Sequence, residues 1–468
     1  MPINRLSALD AAFVAVETPS AHMHVGWAAV CSPPREGQRP AFEELREHVA
    51  ERLPRAPRYR QRMAPVPFSM HNPEWIDDPK FDVDRHVLHS RASKLTEVID
   101  ECMSRPLRRD RPLWQLWIAD RLEDGSIGVV GKAHHCMVDG IAAVELASLL
   151  LDPDPDPLPP EPDQWIPAEP PSPPQLFLRA FGDRLRDQLE LATHTARLVA
   201  SPRRLLGAPG TALRIGRAVA GSLRPAPAST PLNEPISPRR HLALLERPLE
   251  DLRTIKRGFG ATVNDVVLAA SAGGVRRFLE ERGEGPSRLK AMVPVNVRAE
   301  DGDGDLGNRI SFMFIDLPCE KADAASRFAA IRAEVGARKE EGEPEAADSV
   351  LRSLAYLPRT IQLAASRLVA SPRVFNLVVS NIPGPTETLY MRGCELRCAF
   401  PVVPLADQHG LSIGFTTIRE RACFGLYADR RSLPDSDALA VEIDRELDQL
   451  MELAEKGRTE AKADMVTA

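Results

Sequence analysis

The sequence predicts an α/β (α+β) fold laid down twice, and three observations carry that expectation. Strand-like and helix-like stretches interleave in both halves of the chain, the pattern of sheets flanked by helices. At 468 residues and 51.5 kDa the chain exceeds what one ordinary hydrophobic core organises, so two units are expected. Between the halves, from Asp152 to Pro174, lies "DPDPDPLPPEPDQWIPAEPPSPP", in which eleven of 23 residues are proline. Proline fixes φ and lacks an N–H donor, so neither a helix interior nor a sheet interior fits there, whereas a stiff extended connector does. The chain therefore divides into residues 1–151, a connecting segment 152–230, and residues 231–468.

Each element has its own signal. "SIGVVGKAHH" (126–135) reads as a buried strand, and "GIAAVELASLLL" (140–151) as a helix that Asp139 could cap. After the prolines, Gln175 to Arg224 holds nine arginines against Asp183, Asp187 and Glu190. Leu176, Phe177, Ala180, Leu185, Leu189, Leu191 and Leu198 recur there at helical spacing. Two readings fit this segment: a helical bridge with a solvated basic face, or an interfacial helix presenting arginine to anionic lipid. "ATVNDVVLAASAGGVRRFLE" (261–280) reads as a helix with Asn264 and Asp265 in its first turn. Strands are expected at 289–298, 375–384 and 421–430. A last helix should open at Pro434–Asp435–Ser436, carry the stripe Leu439, Ile443, Leu447, Leu450 and Ala454, and fray beyond Lys456.

Composition removes several classes of function. A content of 43% hydrophobic and 27% charged residues is that of a globular chain. A net charge of −6 argues against nucleic acid as a partner. There is no signal-peptide pattern after Met1 and no run of about 18 apolar residues, so no spanning helix is expected. Seven scattered cysteines suit a reducing cytosol rather than a disulfide framework, and Cys394 with Cys398 lacks the second pair a zinc site requires.

The chemistry concentrates at "HHCMVDG" (134–140). Strand side chains alternate faces, so of His134 and His135 one should face a cavity and the other pack or bond to backbone. A metal is a weak reading, because His135 and Asp139 have no evident third ligand. A Cys136 nucleophile served by His135 is equally weak, since strand geometry points the two apart. Neutral imidazole, with an ordinary pKa of about 6.5, can take a proton from an alcohol or amine, which makes a general base the better reading. Asp139 then caps the helix, holds an arginine or orients the turn. "GLSIG" (410–414) imitates a serine-hydrolase elbow, but strand-like sequence follows it and no histidine occurs after His409.

"HHCMVDG" matches the HHxxxDG signature of the CoA-dependent acyltransferase superfamily. Narrower stretches follow in order: "RLSALDAAFVAVETPSAHMHVG" (5–26), "RPLWQLWIADRLEDG" (111–125), "NDVVLA" (264–269), "GNRIS" (307–311), "SNIPGP" (380–385) and "PLADQHGLSIGF" (404–415). Together the chain resembles the bacterial wax ester synthase / diacylglycerol acyltransferase family from residue 5 to about 435, apart from the connecting segment. The resemblance implies two chloramphenicol-acetyltransferase-like domains, each a mixed sheet flanked by helices, with an active-site tunnel between them. It implies His135 as general base and Asn264, of the ND motif, as an activity-linked residue; an amide N–H is suited to an oxyanion, although Asn264 or Asp265 would also serve as a helix N-cap. His134, Asp139, Gly140 and Asp265 would be supporting, with Arg298 or Arg309 as partners for Asp139. Acyl-CoA would be a co-substrate, with no further cofactor and no metal.

Three functions remain to be weighed. The first is transfer of an acyl group from acyl-CoA to diacylglycerol or a long-chain alcohol, giving triacylglycerol or wax ester. The second is a related transferase acting on a polyketide-derived or peptide-like alcohol or amine, which HHxxxDG alone permits and "NDVVLA" disfavours. The third is a non-catalytic lipid-surface binder, for which an intact His135, Asp139, Gly140 and Asn264 would have no use. Insoluble products imply a cytoplasmic enzyme attached peripherally to a membrane or lipid droplet, with Gln175 to Arg224 as the candidate contact.

Overall fold

The structure is a computed structural model of the chain, and it describes residues 5–34, 38–137, 150–157, 163–199, 225–227, 231–297, 309–342, 347 and 359–467. Its first part opens with α1 (Ala8–Val16), started by a reciprocal cap in which Ser7 Oγ accepts the Asp10 N–H and the Asp10 carboxylate accepts from Ser7. There follow β1 (His24–Ser32), α2 (Phe42–Arg52), β2 (Gln61–Ala64), β3 (Glu74–Asp77), β4 (Val87–His89), α3 (Leu95–Ser104), β5 (Trp114–Ala119) and β6 (Ile127–His134). The expected strand at 126–135 is thus present, and all eight of its residues are buried. The expected helix at 140–151 falls almost wholly outside the described residues.

The connector bends at 153–156 and forms neither helix nor strand over 163–172, and it is pinned rather than free. Arg60 holds Asp163 at 3.0 Å, and the Arg60 guanidinium also lies over Trp165. It leads into α4 (Pro173–Val199), which has prolines in its first turn, where their missing N–H is no loss. Beyond it come β7 (Arg240–Pro248), α5 (Leu249–Phe259), α6 (Val263–Glu281), β8 (Leu289–Val297), β9 (Arg309–Leu317), α7 (Ala324–Glu340) and α8 (Arg359–Val369). The chain ends with β10 (Leu377–Ile382), β11 (Tyr390–Met391), β12 (Cys394–Val402), β13 (Leu411–Ile418), β14 (Arg421–Asp429) and α9 (Ser436–Thr467). The apolar stripe expected for α9 is buried at all five positions. The helix does not stop near residue 455 but runs to Thr467, past Gly457 and through the helix-forming run Glu460–Ala463.

Two six-stranded mixed sheets result, ordered β11-β12-β1-β6-β5-β4 and β7-β14-β13-β10-β8-β9. Each has its own large apolar core. The sheets do not follow chain order, because β12 comes from the second part and pairs with β1 of the first, with β11 added beyond β12 at the edge. Where β12 meets the second sheet, the cross-strand pair Gly414 and Gly425 leaves a gap filled by Pro401; a Cβ at Gly425 would stand 2.1 Å from the Pro401 oxygen. The second glycine of "GLSIG" therefore makes room for a crossing strand, and a β13–β14 hairpin, not a helix, follows it.

Candidate active site

β6 ends at His134, and residues 135–137 turn away from the sheet. Four contacts from the N-terminal stretch hold this turn or what surrounds it. The His135 N–H donates to the Met23 carbonyl at 3.0 Å. Met23 has φ of 49°, the left-handed region that a methionine rarely occupies, so its carbonyl is aimed at the expense of backbone strain. The ring of Phe13 on α1 stacks on the His135 imidazole, with centroids 3.7 Å apart and planes within 16°. Glu17, just past the end of α1, stands 3.6 Å from His134 Nε2 and pairs with Arg109.

His134 is buried and bonded to the backbone. The Cys136 N–H donates to His134 Nδ1 at 3.1 Å, so that nitrogen accepts and Nε2 carries a proton, toward Glu17. Burial would push the Glu17 carboxyl up, but His134 and Arg109 outweigh it and hold the pKa below the ordinary value. The expectation that one histidine packs and bonds to backbone is met by His134.

His135 is the other kind of group. It keeps part of its surface accessible, yet it sits deep enough that burial, aided by the neighbouring His134, lowers its pKa to about 4, with its own backbone carbonyl opposing. It is a neutral imidazole at physiological pH, and its Nδ1 makes no hydrogen bond to a described residue. Cys136 is buried, and burial raises its pKa far above the thiol range, so a thiolate there is not available. Among the described residues no three His, Cys, Asp or Glu side chains are grouped to hold a metal ion.

Asn264 and Asp265 lie in the first turn of α6, in the second part of the chain. Neither is the N-cap: Thr262 is, and its Oγ1 accepts the Asp265 N–H at 3.2 Å while Asp265 Oδ2 accepts the Thr262 N–H at 2.9 Å. Asp265 thus completes a capping box, which supports the helix start. Its other oxygen, Oδ1, is buried without a partner among the described residues. Asn264, second in the helix and released from capping, is half-buried. No described hydrogen bond or ion pair joins either residue to His134 or His135. Asp139, Gly140 and Arg298 lie outside the described residues, as does the side chain of Arg309.

Phe13, Glu17, Met23 and Arg109 were not singled out by reasoning on the sequence. The first three stand inside the stretch 5–26, and that whole segment converging on one turn is the signal that was present.

Comparison with known proteins now decides the family. Residues 6–267 match the model of the wax ester synthase/diacylglycerol acyltransferase catalytic domain, and residues 306–451 match the model of the WS/DGAT C-terminal domain. The chain belongs to the wax ester synthase/diacylglycerol acyltransferase family. It is 30% identical over 465 residues to a probable diacylglycerol O-acyltransferase of Mycobacterium tuberculosis, covering 97% of each chain. A solved wax ester synthase/diacylglycerol acyltransferase from Marinobacter aquaeolei VT8 superposes with a TM-score of 0.67 at 23% identity, covering 96% of this chain and 99% of that one. A variant starter condensation domain of rhizomide synthetase, in complex with C8-CoA and Leu-SNAC, matches with a TM-score of 0.57 at 15% identity, covering 97% and 94%. These likenesses establish the two-domain CoA-acyltransferase fold. As a member of the wax ester synthase/diacylglycerol acyltransferase family the protein is an acyltransferase enzyme, and the histidine turn lies within its matched catalytic domain.

Proposed function

We propose that the protein transfers the acyl group of an acyl-CoA to the hydroxyl of diacylglycerol or a long-chain alcohol, with His135 as general base. The observation that carries this reading is the state of His135: neutral, partly accessible, and held in place through both its backbone and its ring. The base takes the acceptor's hydroxyl proton as the oxygen forms its bond to the thioester carbonyl carbon. The tetrahedral oxyanion then expels CoA thiolate, which takes the proton back from the imidazolium. Transfer is direct, without an acyl-enzyme, and acyl-CoA is the only co-substrate; neither a metal nor a cofactor has a step.

Asn264 is assigned to the oxyanion. Its amide makes no hydrogen bond to a described residue and stands at a helix N-terminus, where partial positive charge favours an anion. In this reading the two parts meet at a tunnel, the first supplying the base and the second the amide, with Asp139 and Gly140 shaping the histidine turn. The acceptors are insoluble in water, so the reaction belongs at a membrane or lipid-droplet surface on the cytoplasmic side. Among the described residues no helix is long and apolar enough to cross a membrane.

The test follows labelled palmitoyl-CoA with diacylglycerol and hexadecanol offered separately, for wild type and His135→Ala. Ester should form with wild type, and the variant should lose about 10²- to 10⁴-fold in kcat. CoA released without either ester would refute the acceptor class; full activity in the variant would refute the base.

A further inference from the structure

The strongest unexplained feature is the outer face of α4. The helix is firmly docked on its inner side: Leu176 and Ala180 are buried, Leu176 packs with Ala64 and Ile76, and Arg5 bonds both Glu74 and the α4 residue Asp183, at 2.6 and 2.7 Å. The opposite side is apolar as well, and nothing described covers it. Leu178, Phe181, Leu185 and Leu189 are 67, 56, 56 and 59% exposed. At about 100° per residue they fall within a band ~80° wide, centred opposite Leu176. The sequence stripe of leucines thus splits, Leu176 facing the protein and Leu185 and Leu189 facing away.

The apolar face continues onto a neighbouring loop. Phe68 is 91% exposed and meets Phe177 of α4 edge-on, with ring centroids 6.2 Å apart. It has φ of 55°, a left-handed conformation that a bulky side chain adopts only at an energetic cost, so the fold spends strain on an aromatic that faces water. Arginines flank the band on both sides. By the same rotation Arg184 lies at ~80° from Leu176, and Arg186 and Arg179 at ~280–300°. An apolar band between two basic edges is the cross-section of a helix lying in a membrane interface, with cations at headgroup level.

We infer that the outer face of α4, with Phe68, is the surface by which this enzyme lies on an anionic lipid layer. This deepens the proposed function and rests on its insoluble acceptors. Charge favours lipid over a second copy of the chain. The segment Gln175–Arg224 holds nine arginines against three acidic residues within a chain of net charge −6, so an anionic surface draws this segment while the net charge of the remainder opposes approach.

The full chain is tested for co-sedimentation with phosphatidylcholine vesicles, with and without phosphatidylglycerol. The variants are Phe68→Asn/Phe181→Gln/Leu185→Gln, Arg184→Gln/Arg186→Gln, and a control, Val441→Gln, at an exposed apolar site on α9. Asparagine tolerates the left-handed conformation at position 68, and glutamine is helix-compatible. Wild type and control should bind phosphatidylglycerol-containing vesicles, less tightly as salt rises. The apolar triple variant should lose about tenfold or more in either salt, whereas the arginine variant should lose chiefly at low salt.

Butyryl transfer to soluble hexanol is run in parallel and should be unchanged in all variants. Vesicle binding without soluble transfer would fault the enzymatic reading and leave the surface standing. Wild type that ignores anionic vesicles, or a triple variant that binds as wild type does, overturns the inference. So does a triple variant whose only change is loss of a dimer in light scattering, since the face would then be covered by a second copy.

Discussion

His135 owes its chemistry to neighbours that the HHxxxDG pattern does not contain. Phe13 covers one face of the imidazole at 3.7 Å and keeps it dry, and Met23 fixes the backbone behind it. Removing the ring in Phe13→Ala admits water to that face. Desolvation is the main reason the His135 pKa stands near 4, so the pKa should rise toward the ordinary 6.5. If His135 is the base, as proposed, protonation disables it, so the acid limb of kcat/KM, near pH 4 in wild type, should move upward in the variant. Looser positioning should also lower kcat by about ten- to a hundredfold, with Phe13→Tyr largely restoring both. A pH profile that stays flat down to pH 5 in Phe13→Ala would show that the stack does not set the ring's state. The histidine pair itself was legible in the sequence, because two imidazoles at a strand end are hard to explain as core. Their support was not: a left-handed Met23 is a backbone angle, and Phe13, 122 positions from His135, reads in the sequence as one more apolar helix residue.

Among elements, those with a clear apolar rhythm were legible and those defined by partners were not. β6, α6 and α9 follow from their runs and stripes. The departure of β11 and β12 to the first sheet does not, since pairing across more than 350 residues leaves no local mark. The packing of α9 on α6 is likewise set by something local pattern undervalues, the glycines of "SAGGV" (271–275). At Gly273 a Cβ would lie 2.1 Å from Glu446 Cδ, and Glu446 is a fully buried carboxylate held by Arg277 and Arg327. Alanine is the better helix former by up to about 1 kcal/mol, yet Gly273→Ala should destabilise by about 2–4 kcal/mol, because it crowds the carboxylate away from its cations. Gly336 on α7 has open space where its Cβ would be, so Gly336→Ala should stabilise by about 0.5–1 kcal/mol. Denaturant midpoints of the two variants check the contrast, and a stabilised Gly273→Ala would mean that α9 is free to shift.

The two parts are joined by polar contacts as well as by the crossing strand, and these make the assembly respond to pH. α3 of the first part contacts β7 of the second. His241 on β7 bonds Asp100 of α3 through Nδ1 at 3.0 Å and Asp437 of α9 through Nε2 at 3.1 Å, while Arg430 holds the same Asp100 at 2.9 Å. The Asp100 carboxylate, opposed by burial and aided by Asp437, raises the His241 pKa to about 9. A folded-state pKa above the ordinary 6.5 means that this clamp contributes fully below pH 6.5, fades as pH rises, and is gone above about 9. His48 and His135 act in the opposite sense. Burial lowers both to about 4, so each disfavours the folded state increasingly as pH falls from 6.5 to 4. Taken together, the contribution of these three groups is greatest near pH 6.5, with different residues acting on its two sides. The melting temperature of His241→Gln, measured from pH 4.5 to 9.5, should lose most of the decline that wild type shows between pH 7 and 9, while its acid side keeps the wild-type slope. If the alkaline decline persists unchanged in the variant, the junction between the two parts is held by its packing, and the imidazolium between Asp100 and Asp437 contributes nothing to it.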